Sequence, residues 1–288
     1  MISINEIEFA RQRIAGDVLL TPCAYSEKLS LLTGCELYLK LENLQKTGSF
    51  KDRGALNRIL SLSNEERAAG IVAASAGNHA QGVAHAARVC GLKCIIVMPE
   101  TTPLSKVNGT RELGAEIVLH GTGYDDAFEE ATRLQQQNGY TLVHAFDDEG
   151  VIAGQGTIGL ELLEQVPDMD AVIVPVGGGG LIAGIATAIK AKRPDVELIG
   201  VESEHLPAMQ KSVAAGEITP VETASTIADG IAVRRVGKLT MPIVSELVSR
   251  IVTVSEEETA AAIMLLLERE KTLAEGAGAV GLAALYYD

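Results

Sequence analysis

An α/β protein of parallel sheets with helices on both faces is predicted by three features of the sequence. From about residue 70 onward, short apolar runs alternate with helical stretches, the rhythm of βαβ units. The runs are rich in β-branched residues and apolar at successive positions, as strands buried on both faces are. Small or glycine-rich loops stand where a run passes into a helix.

In chain order, Ser3 with Glu6 forms a capping box that opens an amphipathic helix to about Ala15. Ser49 is placed as an N-cap, with Asp52 at the third helical position and Leu56, Ile59 and Leu60 following. Strands are expected at 71–74, 93–98, 116–120, 141–143, 171–176, 197–201 and 250–254. Helices are expected between them at 79–89, 103–113, 123–138, 156–165 and 181–192. Thr102 is the expected N-cap of the second of these, and Gly114 stands just past its end. Ser255 with Glu258 makes another capping box before a helix to about Glu270, and the chain stops in a helical pattern at Tyr287-Asp288.

A length of 288 residues suits about two domains or one large α/β unit, and 47% apolar content excludes intrinsic disorder. The pattern predicts a small domain, 67–143, inserted in a larger one made of 1–66 and 144–288, with a site in the cleft at strand C-termini. Twenty-four Lys and Arg against 38 Asp and Glu leave a net charge of −14, which argues against nucleic acid or an anionic membrane as the main partner. Cys23, Cys35, Cys90 and Cys94 are sparse and lack CxxC spacing, and with five scattered histidines there is no zinc-ligand pattern, so no metal is expected. Thin cysteine usage and the lack of an apolar secretory core suit a reducing, cytoplasmic compartment. Residues 171–189 carry no charge over a membrane-span length, yet Pro175 and Gly177–Gly180 break them into strand, loop and helix.

Three segments can carry chemistry. In Lys46–Ala55, Lys51 falls in the first turn of a helix, where the dipole favours the neutral amine, a nucleophile suited to a Schiff base with a carbonyl; the plain alternative is a solvated lysine at a helix start. Ser75-Ala76-Gly77-Asn78-His79 joins a strand to a helix and offers backbone N–H groups to a carboxylate; it reads equally as a turn capped by Asn78. Gly177, Gly178, Gly179 and Gly180 precede a helix and suit a phosphate. The run from Gly178 to Ala183 also satisfies a dinucleotide GxGxxA pattern, with Glu202 ending the next strand. An imine-forming lysine, a phosphate cradle and a carboxylate loop together suit pyridoxal 5'-phosphate and an α-amino acid, whereas a dinucleotide leaves Lys51 without a task.

These segments, with 151–159, 228–233 and 274–279, resemble the threonine ammonia-lyase (threonine dehydratase) family, fold-type II pyridoxal-phosphate enzymes related to serine racemase. The resemblance implies that Lys51 carries the cofactor and then moves the Cα proton, that Phe50 packs on the pyridine ring, and that Asn78 bonds the ring oxygen. It implies that Gly177–Gly180 hold the phosphate and that Ser75, Ala76, Gly77, Asn78 and His79 receive the substrate carboxylate. Glu275 matches an acidic residue near the ring, while Thr272 with Glu275 also reads as a capping box. The implied reaction is β-elimination of L-threonine, and of L-serine second, to 2-oxobutanoate or pyruvate plus ammonia, by a homodimer or homotetramer.

Serine racemase has a serine where Ala76 stands, so racemisation is expected to be weak. Glu202 matches one of that enzyme's metal-holding carboxylates, but Ala208 stands at the second. Family members continue into a further strand and a loop whose serine meets the pyridine nitrogen, and this sequence ends before it. A catalytically silent cofactor-binding chain is therefore the competing expectation, and a nicotinamide-binding oxidoreductase is a third.

Overall fold

The computed structural model describes residues 2–287. Its elements in chain order are α1 (Ile4–Ile14), β1 (Cys23–Tyr25), α2 (Glu27–Thr33), β2 (Tyr38–Lys40), α3 (Lys51–Leu60), α4 (Asn64–Ala69), β3 (Ile71–Ala74), α5 (Asn78–Cys90), β4 (Cys94–Met98), α6 (Leu104–Glu112), β5 (Glu116–Leu119), α7 (Tyr124–Asn138), β6 (Thr141–Leu142), α8 (Glu149–Gln165), β7 (Ala171–Pro175), α9 (Gly180–Lys192), β8 (Glu197–Ser203), α10 (Ala208–Ala215), α11 (Thr240–Leu247), β9 (Arg250–Val254), α12 (Glu256–Leu265) and α13 (Gly276–Tyr287). They form two compact units. One, the lysine unit, comprises Phe9–Leu19 and Leu44–Gln155; the other, the glycine-loop unit, comprises residues 2–8, Leu20–Asn43 and 156–287.

The lysine unit holds a parallel sheet in the order β5-β4-β3-β6, with Ile71 of β3 opposite Cys94 on one side and Thr141 on the other. Ile71 and Ala73 bury against Leu56 and Ile59 of α3 and Val83 and Ala87 of α5. Val72 and Ala74 point the opposite way, onto Ala127 and Ala131 of α7. Each fully buried Ile or Val here contributes roughly 1.5–3 kcal/mol, and both faces of the sheet are apolar because both are covered. The unit takes in more chain than the expected 67–143. The reason is α3, whose backbone at Lys51 comes so near α5 that a Cβ on Gly82 would sit 3.1 Å from its carbonyl carbon.

The glycine-loop unit holds a parallel sheet in the order β7-β8-β9. Val201 and Val254 pack with Ala262 of α12, with Leu266 just after it, and with Val280 and Ala283 of α13. On the other face a Cβ on Gly200 would meet Val176 and Ile182 at 3.0 and 3.2 Å, so α9 lies tightly on the sheet there. This unit also carries β1 and β2, an antiparallel pair absent from the expected pattern. Strands of three residues show too little alternation to be read from sequence.

Both expected capping boxes form: Ser3 N–H donates to Glu6 at 2.6 Å, and Ser255 N–H to Glu258 at 2.8 Å. Other boundaries differ. The helix expected at 156–165 begins at Glu149, where Asp148 Oδ1 accepts from Val151 N–H at 3.0 Å. Glycines hid its start because they lower helix propensity. They are there for packing: a Cβ on Gly154 would stand 2.6 Å from the Arg53 carbonyl oxygen and the Gly54 Cα. Thr102 does not cap α6. Pro103 takes that position with no side-chain bond, and Thr102 Oγ1 is buried with no hydrogen-bond partner. The Thr272–Glu275 capping box does not form either, because Lys271 turns left-handed (φ 56°) and α13 starts only at Gly276. Residues 171–189 divide into β7, the glycine loop and α9, and no helix among the described residues is long and apolar enough to cross a membrane.

Candidate active site

Within the lysine unit, Lys51 is the first residue of α3. Phe50, in helical conformation, occupies the capping position with no side-chain bond, so Ser49 is not the N-cap; its Oγ accepts instead from Lys51 N–H at 3.4 Å. Asp52 ties down the turn before the helix by accepting from the Thr47 N–H at 3.0 Å and from the Thr47 hydroxyl. The Lys51 Nζ lies 5.3 Å from the Phe50 ring centroid and donates to the Ala145 carbonyl at 2.8 Å. The half-buried amine is thereby held at the positive end of a helix.

Ser75-Ala76-Gly77 joins β3 to α5, with Ser75 Oγ accepting from Gly77 N–H at 3.2 Å. Gly77, not Asn78, is the N-cap, and no side chain caps the helix. The N-cap residue of this thirteen-residue helix makes no side-chain hydrogen bond, and a helix N-terminus of that kind suits a carboxylate. His79 is buried, and its Nε2 meets the Val143 carbonyl at 2.9 Å, which makes that nitrogen the N–H. Its Nδ1 is buried without a hydrogen-bond partner. Burial first, then the Lys51 charge, pushes the His79 pKa down to about 3, so the ring is neutral. The lysine unit therefore brings Lys51 and the Ser75–His79 loop together, through Gly82 and the His79–Lys51 coupling.

Within the glycine-loop unit, Gly177–Gly180 lead from β7 into α9. Gly179 is the N-cap at φ +92°, left-handed backbone that disfavours a side chain, and no side chain caps α9. A Cβ there would also meet Met209 Cε at 2.5 Å and Thr240 Oγ1 at 2.8 Å. The Gly178 carbonyl is taken up by the Thr240 hydroxyl at 2.6 Å and the Gly237 N–H at 3.3 Å. The loop's acceptor is thus occupied, and the uncapped donors at the start of α9 are those left for an anion. Glu275 is exposed just before α13; its Oε1 lies 3.2 Å from where a Cβ on Gly230 would be, and the adjacent Ile231 abuts Gly177.

Glu202 is 1% exposed, and it does not serve a dinucleotide ribose. Its carboxylate caps α10, accepting from Met209 N–H and Gln210 N–H, each at 2.8 Å. Burial pushes its pKa up to about 7 in spite of those bonds. Both oxygens are committed to the helix, which removes the acidic residue that the GxGxxA reading needs.

Sequence reasoning assigned no part to Gly82, Ala145, Met209 or Thr240. Gly82 stands in the quoted Ser75–Val83 run and carried a signal as a glycine inside a helix. Ala145 carried none, since it acts through its carbonyl.

An amine at one helix start, together with two helix N-termini bare of side-chain caps, defines a class: an α/β enzyme for a phosphate-bearing carbonyl compound. The chain belongs to the pyridoxal-phosphate dependent enzyme family, whose model matches residues 14–288. It is similar to the L-threonine ammonia-lyase of Thermotoga maritima, 54% identical over 285 residues, which are 99% of this chain and 71% of that protein. Among solved structures it is similar to a threonine deaminase from T.th., 47% identical with TM-score 0.94, covering 99% of this chain and 92% of that one. It is also similar to maize serine racemase, 38% identical with TM-score 0.97, covering 99% and 87%. The fold expected from the resemblance is the fold observed.

Proposed function

We propose that the chain is a lyase that dehydrates and deaminates L-threonine, and L-serine second, to 2-oxobutanoate or pyruvate and ammonia. The observation that carries this reading is the Lys51 amine, fixed on the Ala145 carbonyl at 2.8 Å in the same unit as the uncapped start of α5. The relatives named above supply the choice of threonine.

The residues fit pyridoxal phosphate, because the Gly177–Gly180 turn has its carbonyl bonded inward and its helix donors uncapped. When bound, the cofactor supplies an electron sink that makes the Cα proton of an amino acid removable. The chain's own residues do the rest. Gly177–Gly180 and the start of α9 hold the phosphate, and Phe50 and Asn78 orient the ring. Ser75, Ala76, Gly77, Asn78 and His79, with the α5 N–H groups, hold the substrate carboxylate. Lys51 Nζ takes the Cα proton as the free base. The water lost at Cβ is regained on hydrolysis, so the net release is ammonia and a 2-oxo acid. The side chain at Ala76 has no exchangeable proton, which favours elimination over racemisation. Glu275 beside Gly230 is the acidic residue assigned to the ring's surroundings.

Lys51→Ala is expected to abolish 2-oxobutanoate formation from L-threonine by ~10³-fold or more, while leaving the thermal midpoint within a few degrees. Wild-type turnover in that variant removes Lys51 from the mechanism. D-serine formed from L-serine faster than pyruvate would make the chain a racemase instead.

A further inference from the structure

The segment that follows β6 presents its successive backbone groups to two different partners. The Val143 N–H extends the ladder to the Val72 carbonyl at 2.9 Å, and the Val143 carbonyl accepts from His79 Nε2 at 2.9 Å. Two residues on, the Ala145 carbonyl accepts from Lys51 Nζ at 2.8 Å. Between them, His144 folds its ring back onto the chain, and its Nδ1 accepts from the Phe146 N–H at 3.2 Å and the Asp147 N–H at 2.9 Å. The ring is fixed edge-on by Phe128 of α7, centroids 5.5 Å apart at 74°, and by Phe146, 4.6 Å apart at 88°.

We infer that His144 is a positioning residue for Lys51: by accepting two backbone N–H groups it closes the turn that aims the Ala145 carbonyl at the lysine amine. The inference rests on Lys51 being the reactive amine, and deepens that reading. An amine that alternates between holding a cofactor and moving a proton needs a fixed acceptor when free, and a backbone carbonyl is only as fixed as its turn. The ring must be neutral with its proton on Nε2, since protonated Nδ1 cannot accept. The surroundings keep it so: burial lowers the His144 pKa, Lys51 of α3 lowers it further, and Asp147 and Asp148 of the loop oppose this. His79 of α5 is a further titratable neighbour, and α7 contributes the apolar Phe128.

His144→Phe keeps an aromatic ring and removes the acceptor. His144→Asn removes the ring and keeps an acceptor that reaches the backbone two and three residues on, as asparagine does in tight turns. In the holoenzyme, His144→Phe is expected to lower kcat for L-threonine about tenfold with KM within about twofold, and His144→Asn to recover most of the loss. In the cofactor-free full chain, labelling of Lys51 by acetic anhydride, followed by peptide mass spectrometry, is expected to show a shifted pH profile for His144→Phe and an unshifted one for His144→Asn. The inference is overturned if the phenylalanine variant keeps the wild-type kcat and labelling profile, or if the asparagine variant is as impaired as the phenylalanine one. If His144→Phe does not fold, His144→Leu, equally without an acceptor, takes its place. Lys51→Ala separates the two claims. If that variant turns over threonine, the role of Lys51 fails, whereas a dead Lys51→Ala beside a wild-type His144→Phe sinks only the role of His144.

Discussion

The two compact units hold their candidate residues by different means. Around Lys51, side chains act on backbone: His79 and His144 organise the turn after β6, and a carbonyl on that turn holds the amine. Around Gly177–Gly180, backbone is the functional material, and side chains such as Thr240 and Met209 brace it from behind. Two buried groups with shifted pKa values, one in each unit, differ as well. The lysine unit keeps a histidine neutral, its pKa down to about 3, while the glycine-loop unit buries a carboxylate whose pKa rises to about 7. A phosphate needs donors and no competing side chain.

If the backbone of the glycine loop is what matters, adding a single methyl should be the most damaging change there. Gly179→Ala places a Cβ in left-handed backbone and within 2.5 Å of Met209 Cε. It is expected to cost about 2–3 kcal/mol of stability, read by denaturant unfolding, and to weaken pyridoxal-phosphate binding measured by absorbance titration. Equal cofactor affinity in that variant would break the contrast between the units.

Thr240→Val tests the bracing side chain. It strips one of two donors from the buried Gly178 carbonyl, a loss of about 1 kcal/mol, so cofactor affinity is expected to fall about five- to tenfold. Thr240→Ser, which keeps the hydroxyl, should bind as wild type does.

A further effect is in pH dependence. His79 has a folded pKa below its unfolded value, so the unfolded chain binds more protons between about 3 and 6.5. Its contribution to stability is complete above 6.5 and is lost as pH falls toward 3. Glu202 has the opposite sign: its folded pKa of about 7 lies above the ordinary value of 4.5, so its contribution falls as pH rises through that interval. Unfolding free energies of wild type and His79→Gln, compared from pH 6.5 down to 4, are expected to converge. Parallel curves would remove the buried neutral histidine from the account.

Much of the architecture was legible in the sequence. Strands at 71–74 and 250–254 fall where expected, because parallel strands covered on both faces read as unbroken apolar runs. The helix from Glu149 starts well before its expected position, since glycines serving a close helix crossing look like helix breakers. The antiparallel β1–β2 pair was too short to show a period. Lys51, the Ser75–His79 loop and the four glycines were visible because each is a residue type whose chemistry or backbone freedom is scarce.

By itself, then, the sequence determined the βαβ rhythm, and it marked a lysine at a helix start and two small-residue loops as the candidate site. Each of these depends on local spacing and residue type. Only the tertiary structure decided that α3 folds with α5, that Glu202 is spent on capping α10, and that Thr240 and Ala145 serve the candidate residues. Those assignments join groups far apart in sequence through carbonyls, N–H groups and the space beside a glycine. Every residue carries a carbonyl, so its use, unlike that of the space beside a glycine, leaves no mark on the choice of side chain.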